Sequence, residues 1–270
     1  MLHCGHSWQP TKILRVIENI PTSARPVKVQ TDGGIGFLKG LGNPAGSVAL
    51  ASELVCGELA VWLGLRVPEF CIIDVKGLRI SIEGGAGEIG QGPAFLSREV
   101  RGTVADGSGT LLKKLVNPDA ISRLVIFDTW VRNWDRYNPE DQTPRSNLDN
   151  LLFSPVKRRL ELVVFDHSHC FSEAEIDLSI NSPELVEDPR VYGLFPCFAP
   201  YIKENVVRDA LMQLRSADRG VIGPILASIP PQWDVPEPVR RAWTDMICER
   251  AAFLAPNLGE RLLAQRTMDL

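Results

Sequence analysis

With 44% hydrophobic and 23% charged residues over 270 positions, the chain has ordinary globular composition and length enough for one large or two smaller buried cores. A net charge of -4 argues against a general nucleic-acid or anionic-membrane binder, and no apolar run approaches the roughly 20 residues that span a bilayer. Residues 1–7 lack the basic start and apolar stretch of a signal peptide. The six cysteines are scattered without a Cys-x-x-Cys pair, which suits reduced thiols and a cytoplasmic setting.

In chain order, residues 27–30 and 35–39 flank Thr31-Asp32-Gly33-Gly34, a strong hairpin signal that leaves Lys39 at the far end of the second strand. A loop over 40–46 leads to a helix predicted from about Ser47 to Leu63, with Ser47 as N-cap and Gly64 as the stop. The helix is apolar nearly all round, so it is expected to be buried, and Glu53 and Glu58 are its only charges. A buried glutamate needs a partner, and Lys39 is the natural one. The two glutamates lie about 140° apart around a helix, so only one of them can face Lys39, and spacing does not choose between them. Partly exposed glutamates beside a surface lysine are the plainer alternative.

Strands are expected at 71–75 and 78–82, and the glycine-dense stretch 84–92 reads as a loop or interlobe connection. Residues 93–98 read as the strand and hinge that hand over to a second lobe. Asn117-Pro118-Asp119 starts a helix whose face is marked by Ile121, Leu124, Val125, Asp128 and Val131. That helix delivers the chain to Asn133-Trp134-Asp135-Arg136. A polar, proline-punctuated loop covers 136–149, and two apolar runs, 151–153 and 160–165, form a hairpin with its turn near Lys157-Arg158. Such a hairpin sets Asn150 roughly opposite Asp166, bringing two oxygen ligands together as a hard cation requires. Ordinary polar capping of strand ends is the alternative. Helices follow at 204–214 and 239–254, separated by a break at 229–233. The outline is α+β and bilobal: a β-rich lobe over 1–95 with one buried helix, then a mainly helical lobe over 96–270.

Phosphoryl transfer uses an acid at the acceptor, an asparagine and an aspartate on Mg²⁺, and a lysine on the nucleotide phosphates. Asp135, Asn150, Asp166 and Lys39 are residues of those types. The stretches 51–60, 63–69, 127–136 and 150–152, with Asp166-His167, resemble the HipA-like kinases, a branch of the protein-kinase-like fold whose active site is similar to that of phosphoinositide kinases. The resemblance spans about 25–171. It implies binding of ATP and Mg²⁺ between two lobes and transfer of the γ-phosphoryl to a hydroxyl, a serine or threonine of a protein substrate. It further implies that Lys39 holds phosphates, with Glu53 as its partner because the family's helix glutamate precedes the Leu-Ala pair by the longer interval. Asp135 then orients or deprotonates the acceptor, and Asn150 and Asp166 bind Mg²⁺.

Three features depart from the protein-kinase pattern. Gly33-Gly34-x-Gly36 runs straight into Lys39 and is better explained as a turn, so phosphate cover is assigned to Gly42, Asn43 and Gly46 before a helix N-terminus. Asp135 and Asn150 stand 15 positions apart where the protein-kinase motif has five, an insertion of about ten. His167-Ser168-His169 replaces the Phe-Gly of the metal motif. A pseudokinase or interaction module, and a kinase of a small molecule or lipid headgroup, are therefore kept as alternatives. A metallohydrolase on Asp166, His167 and His169 lacks a recognisable partner set, and His3-Cys4-x-His6 lacks a second zinc-ligand cluster.

Overall fold

The computed structural model describes residues 2–3, 7–22, 24–44, 46–82, 87–104, 109–137, 148–171 and 176–268. Strands β1 (Ile13–Asn19), β2 (Val27–Thr31) and β3 (Gly34–Lys39) precede helix α1 (Gly46–Trp62) and strand β4 (Phe70–Val75). The short strands β5 (Ile80–Ser81) and β6 (Glu88–Ile89) pair with each other, and β7 (Gly92–Arg98) completes an antiparallel sheet of order β1-β2-β3-β7-β4. The expected lobe boundary at 95/96 falls inside β7. Thr31 pairs with Gly34, so Asp32-Gly33 forms a two-residue turn. The Thr31 hydroxyl closes it by donating to the Gly34 carbonyl at 2.7 Å and accepting from the Gly33 N–H at 3.1 Å. Lys39, at the end of β3, stands opposite Phe95 of β7.

Helix α1 is buried along its middle from Ala49 to Ala60, as its all-round apolar sequence requires. Gly64, at φ +83°, ends it: the Gly64 N–H bonds the Val61 carbonyl and the Leu65 N–H bonds that of Ala60, both at 2.9 Å. These two bonds satisfy carbonyls left open by the last turn. One apolar core, including Val27, Val29, Leu38, Ile73 and Leu96, lines the sheet. A larger one joins α1 to the second half of the chain.

That half contains β8 (Thr103–Val104), α2 (Asp119–Trp130), β9 (Leu151–Val156), β10 (Arg159–Val164), α3 (Pro183–Val186), α4 (Glu204–Leu214), α5 (Arg219–Ala227) and α6 (Glu237–Met268). Strands β8, β9 and β10 form a second antiparallel sheet. Arg250 of α6 is fully buried and donates to the carbonyls of Thr129 and Trp130 at the end of α2, and to those of Leu185, Val186 and Asp188. A cation at a helix C-terminus complements the partial negative charge there. The catalytic-loop candidate therefore leaves an anchored helix. Among the described residues no helix is long and apolar enough to cross a membrane.

Candidate active site

Three charged side chains from distant parts of the chain converge. Lys39 Nζ pairs with Glu53 of α1 and lies 3.0 Å from Asp166 Oδ1. Glu53 is buried, and its Oε2 accepts the His167 N–H at 3.2 Å. Ser168 donates its hydroxyl to Asp166 Oδ1 at 2.8 Å. Glu58 lies elsewhere on the helix, where both of its oxygens accept the His3 N–H at 2.8 and 2.6 Å. Of the two glutamates left open by spacing, Glu53 is thus the one beside Lys39.

Burial disfavours the Lys39 charge, but Asp166 and Glu53 outweigh it and hold its pKa above the usual lysine range. Burial pushes Glu53 up to about 7, against the pull of Lys39 and with the help of the Asp166 charge. For Asp166 burial acts upward, yet Lys39, Glu53 and Ser168 together hold it well below the ordinary carboxylate range. The two adjacent carboxyls thus have their pKa values driven apart around one lysine.

Asp135 and Asn150 form the second half of the site. Despite the long interval between them, Asn150 Nδ2 donates to Asp135 Oδ2 at 3.1 Å. Most of the intervening loop, 138–147, lies outside the described residues. The hairpin register pairs Leu151 with Val164, so continuing it sets Asn150 opposite Phe165, one position short of the expected Asp166. Asp166 itself adopts φ +57°, which ends the extended run and turns the backbone at the rim of the hairpin. Asn150 and Asp166 still occupy the same end of the two strands.

Arg136, next to Asp135, is fully buried. Its Nη1 donates to the Asn150 carbonyl at 2.7 Å, and its Nε lies 2.8 Å from Oδ2 of Asp128, itself fully buried on α2. Asn133 Nδ2 donates to Asp128 Oδ1 at 2.9 Å. Burial pushes the Asp128 carboxyl up while Arg136 opposes it. Sequence reasoning gave no role to Arg136 or Ser168, and Asp128 appeared only as one mark on an apolar helix face. A charge in such a stripe is itself the signal of a buried pair.

Gly42, Asn43 and Gly46 are the residues expected to cover phosphate. Gly42 takes φ +83°, and a Cβ there would sit 2.3 Å from the Glu88 carbonyl oxygen, so β6 packs directly on this loop. Gly46, at φ +79° with open space around its α-carbon, begins α1. The Asn43 amide is turned inward and donates to the Ala24 carbonyl at 2.9 Å. His167 is buried against the Phe127 ring, and its pKa falls to about 3, through burial first and then the Arg136 charge. His169 packs instead on Trp134.

Among the described residues no three His, Cys, Asp or Glu side chains gather as a metal cage, which leaves the metallohydrolase alternative without a ligand set. One carboxylate and one amide oxygen on a hairpin end do suit Mg²⁺, which retains water and takes further oxygens from phosphate.

No curated protein matches the chain. Among solved structures, that of a Helicobacter pylori proinflammatory kinase, CtkA, is similar with a TM-score of 0.56 at 13% identity, covering 94% of this chain and 99% of that one. At that identity the likeness shows the fold: this is a mixed α/β, kinase-like architecture. The family model described as HipA-like kinase matches residues 13–251, and with most of its length so matched the chain belongs to the HipA-like kinases, a family of phosphotransferases.

Proposed function

We propose that the chain is an ATP- and Mg²⁺-dependent kinase that phosphorylates serine or threonine hydroxyls of a protein. The observation that carries this reading is the pairing of Asp135 with Asn150 at 3.1 Å across the long interval, on the same hairpin rim as Asp166. An alignment spoiled by the insertion would have separated them. When bound, ATP supplies the phosphoryl group and Mg²⁺ neutralises the charge that develops on it.

The chain's own residues divide the remaining work. Lys39 holds nucleotide phosphates, and Glu53 keeps the lysine extended from β3 toward them. Asp166 and the Asn150 side-chain oxygen hold the metal, while Ser168 fixes the Asp166 carboxylate. Asp135 accepts a hydrogen bond from the acceptor hydroxyl and takes its proton as the nucleophile forms. The first turn of α1, entered through the loop of Gly42 and Gly46, offers backbone N–H groups to phosphate oxygens, while the Gly46 N–H is itself held by the Asn43 carbonyl at 2.9 Å and Asn43 braces the same loop. The residues through the end of β7 at Arg98 make the nucleotide-facing lobe and those after it the catalytic lobe. Among the described residues Cys56, Cys170, Cys197 and Cys248 are free thiols, which supports a reducing, cytoplasmic setting.

The acceptor is tested by incubating the protein with γ-labelled ATP, Mg²⁺ and, separately, dephosphorylated casein, myelin basic protein or phosphoinositide vesicles. Acid-stable, base-labile label on serine or threonine of a protein, including the kinase itself, is expected. Label confined to lipid would replace the protein acceptor with a headgroup. Nucleotide binding without transfer in any arm would identify a pseudokinase.

A further inference from the structure

The interval between Asp135 and Asn150 poses a mechanical problem. Asp135 and Asn150 are 15 positions apart, and chain connectivity over such a separation does not by itself fix the distance between an acceptor-binding acid and a metal ligand. Something else must hold the two in register.

The side chain directly after Asp135 spans this gap. Arg136 sends Nη1 to the Asn150 carbonyl at 2.7 Å and Nε to Asp128 Oδ2 at 2.8 Å. Asp128 in turn takes the Asn133 side-chain amide at 2.9 Å on its other oxygen, and its backbone carbonyl takes the Asn133 N–H at 2.8 Å. Both ends of the 133–136 turn are thereby tied to one point on α2, and Asn150 is tied to the same point through a planar guanidinium. Both charged side chains are wholly excluded from solvent. An ion pair so buried is weak evidence of stabilisation, since well-packed apolar residues serve stability as well or better. Its geometric content is what an apolar pair would lack: a planar fork that donates a hydrogen bond from Nη1 to the Asn150 carbonyl while Nε rests against Asp128 Oδ2 as an ion pair without hydrogen-bond alignment.

We propose that Arg136 is a positioning residue, a strut that sets the metal asparagine Asn150 against Asp135 across the insertion and is itself aligned by Asp128. The proposal rests on the assignment of Asn150 to the metal and of Asp135 to the acceptor. The test therefore includes an arm that does not need turnover. Arg136→Lys keeps a cation beside Asp128 but loses the fork. Asp128→Leu with Arg136→Met removes both charges at similar volume and keeps the fold should the single variant be unstable.

Binding of Mn²⁺ in the presence of a non-hydrolysable ATP analogue is followed by electron paramagnetic resonance. In parallel, Mg²⁺-dependent turnover of γ-labelled ATP is measured per folded molecule. Expected in both variants are a rise of about tenfold or more in the metal concentration for half-saturation and a fall of about 30-fold or more in kcat. The KM for the nucleotide, held mainly from Lys39, should change less than threefold. Metal half-saturation and kcat equal to those of the native protein in either folded variant would overturn the proposal, as would a lowered melting temperature with unchanged values for both. A native protein that binds Mn²⁺ with nucleotide but never turns over would sink the kinase reading and leave the strut to be judged on the Mn²⁺ arm. A native protein that binds no metal would overturn both.

Discussion

Gly193→Ala tests the rigidity of the Asp128–Arg136 pair from outside it. Gly193 has φ +71°, and a Cβ there would meet Asp128 Oδ2 at 2.3 Å and Asp128 Cβ at 2.8 Å. Real side chains do not tolerate such approaches, so either the 193 segment or Asp128 must move. Asp128 is held on both oxygens, by Arg136 and by Asn133. Moving it uncouples a fully buried guanidinium, a loss of about 3–5 kcal/mol, and alanine at positive φ adds about 1 kcal/mol. Partial movement of the 193 segment relieves some of the clash, so the expected loss is about 3–5 kcal/mol. Gly77→Ala isolates the backbone component: Gly77 has φ +68° with nothing within 4 Å, and its loss should be about 1 kcal/mol. Urea denaturation of the three proteins, compared at constant slope, reads both losses. A Gly193→Ala protein within about 1 kcal/mol of Gly77→Ala would show that Asp128 yields freely and refute the rigid pair.

The Lys39 cluster predicts a compensating pair of substitutions. Lys39→Met leaves Glu53 and Asp166 facing each other and should cost about 2–4 kcal/mol in thermal or chemical denaturation, with about half recovered when Glu53→Gln is added; equal stability of the single and double variants would contradict the coupling. The pH dependence follows from opposed shifts. His167, depressed to about 3 from 6.5, contributes stability in full above pH 6.5 and loses it as pH falls toward 3. Glu53, raised to about 7 from 4.5, contributes most below pH 4.5 and loses that contribution as pH rises toward 7. Between pH 6.5 and 4.5 the two nearly cancel, so the native protein should show a flat profile there. His167→Phe should instead gain about 2–3 kcal/mol on acidification across the same window; a flat profile in that variant would refute the His167 assignment. Asn150→Ala should raise the Mg²⁺ requirement by about tenfold or more, measured by metal titration of nucleotide binding, and an unchanged requirement would remove Asn150 from the metal.

Much of the site was legible because its residues sit at sharp local signals. Asp32-Gly33 fixes the turn, the turn fixes where β3 ends, and the end of β3 delivers Lys39. The hairpin of β9 and β10 was legible in the same way, and only its rim was off by one, because the two-residue turn at Lys157-Arg158 pairs Val156 with Arg159 and that register carries Asn150 to Phe165. Glu53 and Glu58 could not be separated by spacing, since Glu58 meets the backbone N–H and the ring of His3, 55 positions away. Strand β1 escaped because Ile13, Leu14, Val16 and Ile17 imitate helical spacing. Irregularities between Ile13 and Arg15 and between Val16 and Glu18 break its alternation, and its middle is exposed as the edge of the sheet. Helix α6 runs to Met268, well past the expected end at 254, carrying Pro256 inside it. Pro256 lacks only one N–H donor, and Leu254 and Leu258 on either side of it are buried in the main core. Apolar packing there outweighs the local preference. The Arg136 strut was the least legible part, since nothing in the spacing of Asp128, Arg136 and Asn150 reveals that they meet.

The central claim, that Lys39, Asp135, Asn150 and Asp166 form a working phosphotransfer site, is tested most directly by single-turnover transfer from γ-labelled ATP in the presence of Mg²⁺. The native protein is compared with Asp135→Ala and Asp166→Ala, each verified as folded. Label transfer, or slow release of labelled phosphate, that falls by about two orders of magnitude or more in both variants is the predicted result. Turnover retained in either variant, or no nucleotide binding by the native protein, would contradict the account.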